Sequence, residues 1–190
     1  RAVIERYRPA VRLTPGNNVI LAGIEPAQKD DVTRLLAGHG VKVGEQGSIL
    51  RRGSMACVAL PTCGLAVAES ERFLPSLIGR IETVLGELGL SGQEILVRMT
   101  GCPNGCARPY TAEIGFVGRS LGLYEVWLGG NDTGTRLNRI YKDNVKDADI
   151  VGELRPLFVR YAAERRGAER FGDWCARAVW DSPPEAREAS

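Results

Sequence analysis

Four of the five cysteines in the chain fall in two short clusters, and thiols at such spacing can do chemistry. Cys57 and Cys63 flank five residues in "ACVALPTC", and Cys102 and Cys106 flank three residues in "TGCPNGCARPY". Thiolates bind zinc and iron–sulfur clusters, and pairs of thiols form disulfides. The two clusters therefore predict a zinc ion, two disulfides, an iron–sulfur cluster or four inert buried thiols.

The spacing of the cysteines favours an iron–sulfur cluster among these alternatives. Disulfides are disfavoured because nothing in the sequence indicates an oxidising compartment. Structural zinc sites prefer cysteine pairs separated by about two to four residues, and only the second pair fits. An iron–sulfur cube is larger than one ion, so its ligands stand farther apart, and a proline such as Pro103 after a cysteine occurs in iron–sulfur motifs. Zinc and inert thiols stay open as alternatives.

Residues around the cysteines add to this prediction. Asn104 and Gly105 tolerate left-handed backbone, which allows Cys102 and Cys106 to turn toward one object. Cys175, in "GDWCARA", has no partner motif, and we expect it to pack in the core.

Composition limits the classes of partner. The 190 residues are 44% apolar and 25% charged, with a net charge of +2, which indicates a folded domain without a strong field for nucleic acid or membranes. No run of about 18 apolar residues is present, and the first residues lack the pattern of a secretory signal. We therefore expect a cytoplasmic protein with neither nucleic acid nor membrane as a partner. Because the chain begins with Arg1 rather than Met, we also expect it to be a piece of a longer protein.

Periodicity predicts an α+β fold. The expected helices cover 26–40, 64–90 with a new start or kink at Pro75, and 147–166. The expected strands cover 17–24, which should be buried, 41–43, 94–100 and a hairpin of 112–118 with 124–130. His39 lies at the end of the first helix, where we expect it to be solvated or capping. Arg136, Arg139 and Lys142 recur at helical spacing and predict a basic stripe.

The cysteine motifs resemble a known family. "ACVALPTCGLAVAESERFLP" and "RMTGCPNGCARPYTAEIGFVGRSLGLYEVWLGG" are similar to the C-terminal portion of sulfite reductase hemoproteins, the sirohaem and [4Fe–4S] enzymes of sulfate assimilation. The resemblance runs from about residue 12 to residue 178. It implies the end of a ferredoxin-like half-domain over 1–50, a mixed sheet-and-helix domain binding the iron–sulfur cluster and sirohaem over 51–180, and a flexible tail over 181–190.

The resemblance also implies roles for individual residues. Cys57, Cys63, Cys102 and Cys106 correspond to the four ligands of one [4Fe–4S] cluster. Cys106 corresponds to the cysteine that also bridges to the sirohaem iron, which gives it a catalytic role. Asn104, Gly105 and Arg108 correspond to residues beside that sulfur that contact the cofactor, and Arg108 can pair with a carboxylate of the macrocycle.

The implied activity is the six-electron reduction of sulfite to sulfide, and three points about it stay open. "LPTC" and "PNGC" favour sulfite over nitrite, the substrate of the related sirohaem nitrite reductases. "CARPY" is similar to the ferredoxin-dependent enzymes, whereas "GTRLNRIYKDNV" is similar to those that an NADPH flavoprotein serves. The N-terminal half that supplies the sulfite-binding cations in this family is missing, so we expect activity only in the complete protein. A structural zinc module or interaction module is the alternative from another class.

Overall fold

The structure is a computed structural model and describes residues 1–14, 18–41 and 47–181. The chain divides into two compact units, Arg1–Gly47 and Ser48–Ser190. Both helices and strands occur in each unit, which confirms the α+β prediction. The assignment of the first unit to a ferredoxin-like half-domain stays a prediction.

The first unit pairs two short strands with two helices. Its elements are α1 (Ala2–Tyr7), β1 (Ala10–Leu13), β2 (Val19–Ala22), a 3-10 turn (Pro26–Gln28) and α2 (Lys29–Gly38). β1 and β2 are antiparallel, with Ala10 opposite Ala22. The strand predicted over 17–24 is present but not buried, since Val19 is 60% exposed and only β1 pairs with it among the described residues. His39 is exposed at the end of α2, as predicted.

The second unit is built on a mixed sheet. Its elements are α3 (Ile49–Gly53), β3 (Met55–Ala56), α4 (Leu74–Glu87), β4 (Val97–Thr100), a 3-10 turn (Pro109–Thr111), β5 (Ile114–Ser120), β6 (Leu123–Leu128), β7 (Arg139–Lys146), α5 (Ile150–Glu164), α6 (Phe171–Trp174) and a π turn (Cys175–Trp180). Within the described residues the sheet order is β3-β4-β5-β6-β7. β3, β4 and β5 are parallel, whereas β5, β6 and β7 are antiparallel.

Apolar periodicity fixes the helix α4. Its apolar side chains recur three or four positions apart, so they share one face and enter the core. The buried residues of α4 are Leu74, Leu77, Ile78, Ile81, Val84 and Leu85. Pro75 lies in the first turn, where a missing N–H is tolerated. The new start expected at Pro75 is confirmed.

The helix predicted from residue 64 is wrong before Leu74. The N–H groups of Val67 and Ala68 both donate to the carbonyl of Gly101, at 2.9 and 3.0 Å. A helix would require these donors to bind carbonyls four residues back in the same segment. The stretch is therefore a loop that a neighbouring strand end holds in place.

The hairpin and the last long helix are confirmed, one strand was not predicted, and two expectations extend beyond the described residues. β5 and β6 pair antiparallel from Ile114 opposite Leu128, and α5 lies within the predicted 147–166. β7 was not predicted. The strand expected at 41–43 lies outside the described residues after Val41, and the tail expected over 181–190 lies outside them after Asp181. No helix in the described ranges is both long and apolar enough to cross a membrane.

Candidate metal centre

Parallel strand pairing brings the two cysteine motifs to one edge of the sheet. Ala56 in β3 lies opposite Met99 in β4. Cys57 directly follows β3, and Cys102 follows β4 after one residue. Because parallel strands end at the same edge, both cysteines leave the sheet on the same side.

The two motifs are in direct contact at that edge. The backbone N–H of Gly101 donates to the Sγ of Cys57 at 3.3 Å, and the N–H of Cys57 donates to the carbonyl of Met99 at 3.2 Å. The first bond places the Cys57 thiol against the residue that precedes Cys102. The loop around residue 60 and the loop around residue 104 therefore start side by side.

Glycine at position 101 makes this close approach possible. A Cβ added at Gly101 would lie 2.5 Å from the Cβ of Ala59 and 2.6 Å from the carbonyl oxygen of Ala68. Gly118 in β5 is similarly restricted, since its Cβ would lie 2.6 Å from the Cβ of Ala68. Only residues without side chains fit between the first cysteine loop and the sheet.

Backbone hydrogen bonds shape the first loop around Cys63. Cys63 donates its N–H to the carbonyl of Ala59 at 2.7 Å, and Ala66 donates to the carbonyl of Cys63 at 3.2 Å. The buried hydroxyl of Ser70 then donates to the carbonyl of Met99 at 2.7 Å. The loop is thus tied to β4 both before and after its second cysteine.

The second loop turns through left-handed backbone, as its sequence predicted for Gly105. Gly105 has a φ of 69°, and Arg108 has a φ of 56°. The N–H of Arg108 donates to the carbonyl of Gly105 at 2.7 Å. Asn104 is exposed and is absent from the residues with positive φ, so of the two residues that tolerate left-handed backbone only Gly105 adopts it. The left-handed conformation of Arg108 carried no signal in the sequence.

The cysteines differ in exposure, and none forms a disulfide. All five lie within the described residues and are free, which excludes the disulfide alternative for this structure. Cys102 is buried, Cys57 and Cys63 are half-buried, and Cys106 is exposed. Cys175 is fully buried in the core, as predicted, and burial raises the pKa of its thiol.

The donor set of the two loops suits an iron–sulfur cluster. Across the described ranges, no group of three or more His, Cys, Asp or Glu side chains is arranged to hold a metal ion. A cluster binds each cysteine at a different iron, so its ligands need not converge on one point. Free thiols on adjoining loops, one already accepting an N–H bond, match the ligands and the hydrogen bonds that such clusters use.

Two arginines lie beside the cysteine loops, and the sequence reasoning missed one of them. Arg98 in β4 is partly buried, and its Nη1 donates to the carbonyl of Arg108 at 3.3 Å and to the hydroxyl of Thr111 at 2.9 Å. Its Nε is buried without a partner among the described residues. Burial, and secondly the charge of Arg108, lower the pKa of Arg98. The signal was an arginine within the otherwise apolar "ILVRM".

The basic stripe predicted after the hairpin is wrong. Arg139 and Lys142 lie in the strand β7, so they do not share a helical face. Arg136 donates to the carbonyl of Gly129 at 2.7 Å, and Lys142 forms an ion pair with Glu153 at 2.7 Å. These side chains have partners within the unit.

Comparisons with known proteins identify the family. No protein-family model matches the chain. The sulfite reductase (NADPH) hemoprotein beta-component of Staphylococcus saprophyticus is 49% identical over 178 residues, which are 94% of this chain and 31% of that protein. The Bacillus subtilis protein of the same name is 48% identical over 178 residues, which are again 94% of this chain and 31% of that protein. The chain belongs to the sulfite reductase hemoprotein family.

The chain spans about a third of the length of these relatives. Among solved structures, the Mycobacterium tuberculosis NirA protein matches with a TM-score of 0.77 and 27% identity. That match covers 95% of this chain and 35% of the NirA chain. The fold of this chain is therefore similar to one segment of the NirA fold.

Proposed function

We propose that this segment holds the iron–sulfur cluster of a sulfite reductase and that the complete protein reduces sulfite to sulfide. Cys57, Cys63, Cys102 and Cys106 hold a [4Fe–4S] cluster in this proposal, and Cys106 also binds the sirohaem iron. The carrying observation is the Cys57–Gly101 contact, which joins the two cysteine loops. It occurs in a chain about half identical to sulfite reductase hemoproteins.

The proposed cofactors supply electron storage and delivery in single steps to the bound anion. The chain's own residues prepare the ligands. The Gly101 N–H donates to the Cys57 sulfur, and hydrogen bonds of this kind orient and tune the cysteine ligands of iron–sulfur clusters. Cys106 is exposed, so its sulfur can reach a group outside the loops.

The surroundings of the cysteines support an acidic macrocycle with an apolar body. Arg98 and Arg108 place two positive charges beside the loops, and guanidinium groups bind carboxylates. Val58 and Leu65, on the first loop, are 51% and 70% exposed. An exposed apolar surface at a binding site commonly receives a ligand or another part of the protein.

The electron donor and the cellular role are part of the proposal. The names of the relatives specify NADPH, which favours an NADPH flavoprotein over ferredoxin as the donor. We place the complete protein in the cytoplasm and in sulfate assimilation. Nitrite reduction is the alternative within enzymes, and the cysteine motifs favour sulfite.

The complete protein that contains this segment provides the test. We expect the purified protein to absorb as a sirohaem protein and to reduce sulfite with methyl viologen as donor. Cys106→Ser should abolish this activity, and Cys175→Ala should retain it. A colourless protein that binds one zinc ion, or faster turnover of nitrite than of sulfite, would overturn the proposal.

A further inference from the structure

We propose that Tyr110 is a positioning residue that clamps the second cysteine loop against the sheet, so that Cys102 and Cys106 are held ready before metal binds. The clamp consists of the contacts of Tyr110 with Pro103, Gly105 and Trp127. Its purpose rests on the proposed function.

The hydroxyl of Tyr110 closes the loop at its start. Its oxygen donates a hydrogen bond to the carbonyl of Pro103 at 2.7 Å. Pro103 directly follows Cys102 and lacks an N–H, so this carbonyl is the only backbone hydrogen-bonding group that the residue offers. The bond therefore ties the chain next to Cys102 to a side chain beyond Cys106.

The ring of Tyr110 covers the middle of the loop. A Cβ added at Gly105 would lie 2.7 Å from the Cε2 of Tyr110. Gly105 also has a φ of 69°, which side chains rarely adopt. The ring and the left-handed turn thus require glycine at the same position, one residue before Cys106.

The sheet fixes Tyr110 from the other side. Its ring meets Trp127 of β6 edge to face, with centroids 5.0 Å apart and planes at 75°. Trp127 donates its Nε1–H to the carboxylate of Glu125 at 3.0 Å. The carbonyl of Tyr110 accepts the N–H of Asn138 at 2.8 Å, and the amide of the buried Asn138 donates to the carbonyl of Pro109 at 2.7 Å.

These contacts connect the loop to β6 through one side chain. Pro103 and Gly105 lie between Cys102 and Cys106, and Tyr110 touches both of them. A loop that is ordered in advance loses less conformational entropy when it binds. The clamp accordingly presets the relation of the two thiols without the metal.

Hydrogen exchange on the metal-free chain tests the hydrogen bond from the Tyr110 hydroxyl to Pro103. Tyr110→Phe removes only the bond to Pro103, so exchange of the Arg108 amide, which donates to Gly105, should accelerate about fivefold. Tyr161→Phe is the matched control, because that hydroxyl also donates to a carbonyl at 2.7 Å, that of Glu169 outside the loops. It should leave the exchange of the Arg108 amide unchanged.

A double-mutant cycle tests the ring through the free energy of unfolding. Gly105→Ala should destabilise the chain less in a Tyr110→Leu background, since the overlap with the ring is gone. Additive effects in the cycle, together with unchanged Arg108 exchange in Tyr110→Phe, would overturn the clamp. If the wild-type chain takes up no iron, the proposed function is overturned. The hydrogen-exchange and unfolding results still test the clamp in that case, because they use the metal-free chain.

Discussion

The Sγ of Cys57 accepts a hydrogen bond from the N–H of Gly101, although 44 positions separate the two residues. The bond links the end of β3 to the end of β4 and sets the first cysteine of one motif against the start of the other. N–H bonds to cysteine sulfur tune the potential of iron–sulfur clusters. The same bond therefore contributes to the fold and to the proposed site.

Gly101→Ala should lower the free energy of unfolding by about 1–3 kcal/mol. The added Cβ would overlap the Cβ of Ala59 at 2.5 Å and force the loop away from β4. Denaturant unfolding measures the change. Gly152→Ala in α5 is the control, because nothing lies within 4 Å of its added Cβ, and it should stabilise by up to about 1 kcal/mol. Equal stability of Gly101→Ala and wild type would contradict the close packing.

Alkylation of the metal-free chain should follow the exposure of the thiols. Cys106 is exposed and should react first, whereas Cys175 is fully buried with a raised pKa and should react only on unfolding. Mass spectrometry of digested samples over time gives the order. Rapid labelling of Cys175 in the folded chain would show that the core around it is not closed.

Breaking the Arg170–Glu113 pair should destabilise the second unit by about 3 kcal/mol. The Glu113 side chain is fully buried and accepts from Arg170 at 2.9 Å and from the N–H groups of Leu96 at 2.8 Å and Gly172 at 3.0 Å. Arg170→Met leaves that carboxylate without its cation.

A half-exposed ion pair provides the control for Arg170→Met. Arg155 and Glu87 are each 50% exposed, so Arg155→Met should cost less than about 1 kcal/mol. Chemical denaturation of both variants measures the difference. If both variants lose the same free energy of unfolding, the Arg170–Glu113 pair contributes no more to stability than an exposed ion pair.

The Glu169–Arg177 pair should make stability depend on pH in the acid range. Hydrogen bonds from Arg177, at 2.8 Å to each carboxylate oxygen, lower the pKa of Glu169 below its ordinary value of 4.5. A carboxyl whose pKa is lower in the folded state stabilises the fold fully at pH values above its pKa in the unfolded chain. That contribution is lost as the pH falls through its pKa in the folded chain. Glu169→Gln should therefore be less stable than wild type at pH 7.

The gap between Glu169→Gln and wild type should close as the pH falls well below 4.5. Denaturant unfolding at a series of pH values gives the profile. Arg177→Gln should produce the same profile, since it removes the other half of the pair. A gap that stays constant with pH would contradict the assignment.

Local pattern was sufficient for elements whose own residues decide their structure. The apolar face of α4 and the mainly apolar runs of β5 and β6 are visible in the sequence because the same side chains fill the core. In β7 only Val145 is buried, so the strand has no clear apolar pattern in the sequence. Its pairing with β6 decides its structure. Apolar spacing alone predicts a helix in the loop before α4, but the N–H groups of Val67 and Ala68 donate to Gly101, far along the chain, and the sequence does not show this pairing.

The candidate site followed the same division. Cysteine type and spacing identified the four candidate ligands, and left-handed Gly105 was expected from its residue type. The Cys57–Gly101 bond and the contact of Tyr110 with Trp127 depend on how the strands are arranged, and no local signal carries that information. The role of the four cysteines as ligands and of Tyr110 as a positioning residue stays a prediction.

Anaerobic reconstitution of the chain with iron and sulfide, followed by metal analysis and EPR after reduction, tests the central claim most directly. The account predicts about four iron and four sulfide per chain with the signal of a reduced cluster. Cys102→Ser should lose both, and Cys175→Ala should keep both. A wild-type chain without iron, or a Cys102→Ser chain that assembles the same cluster, would contradict the assignment of the four cysteines.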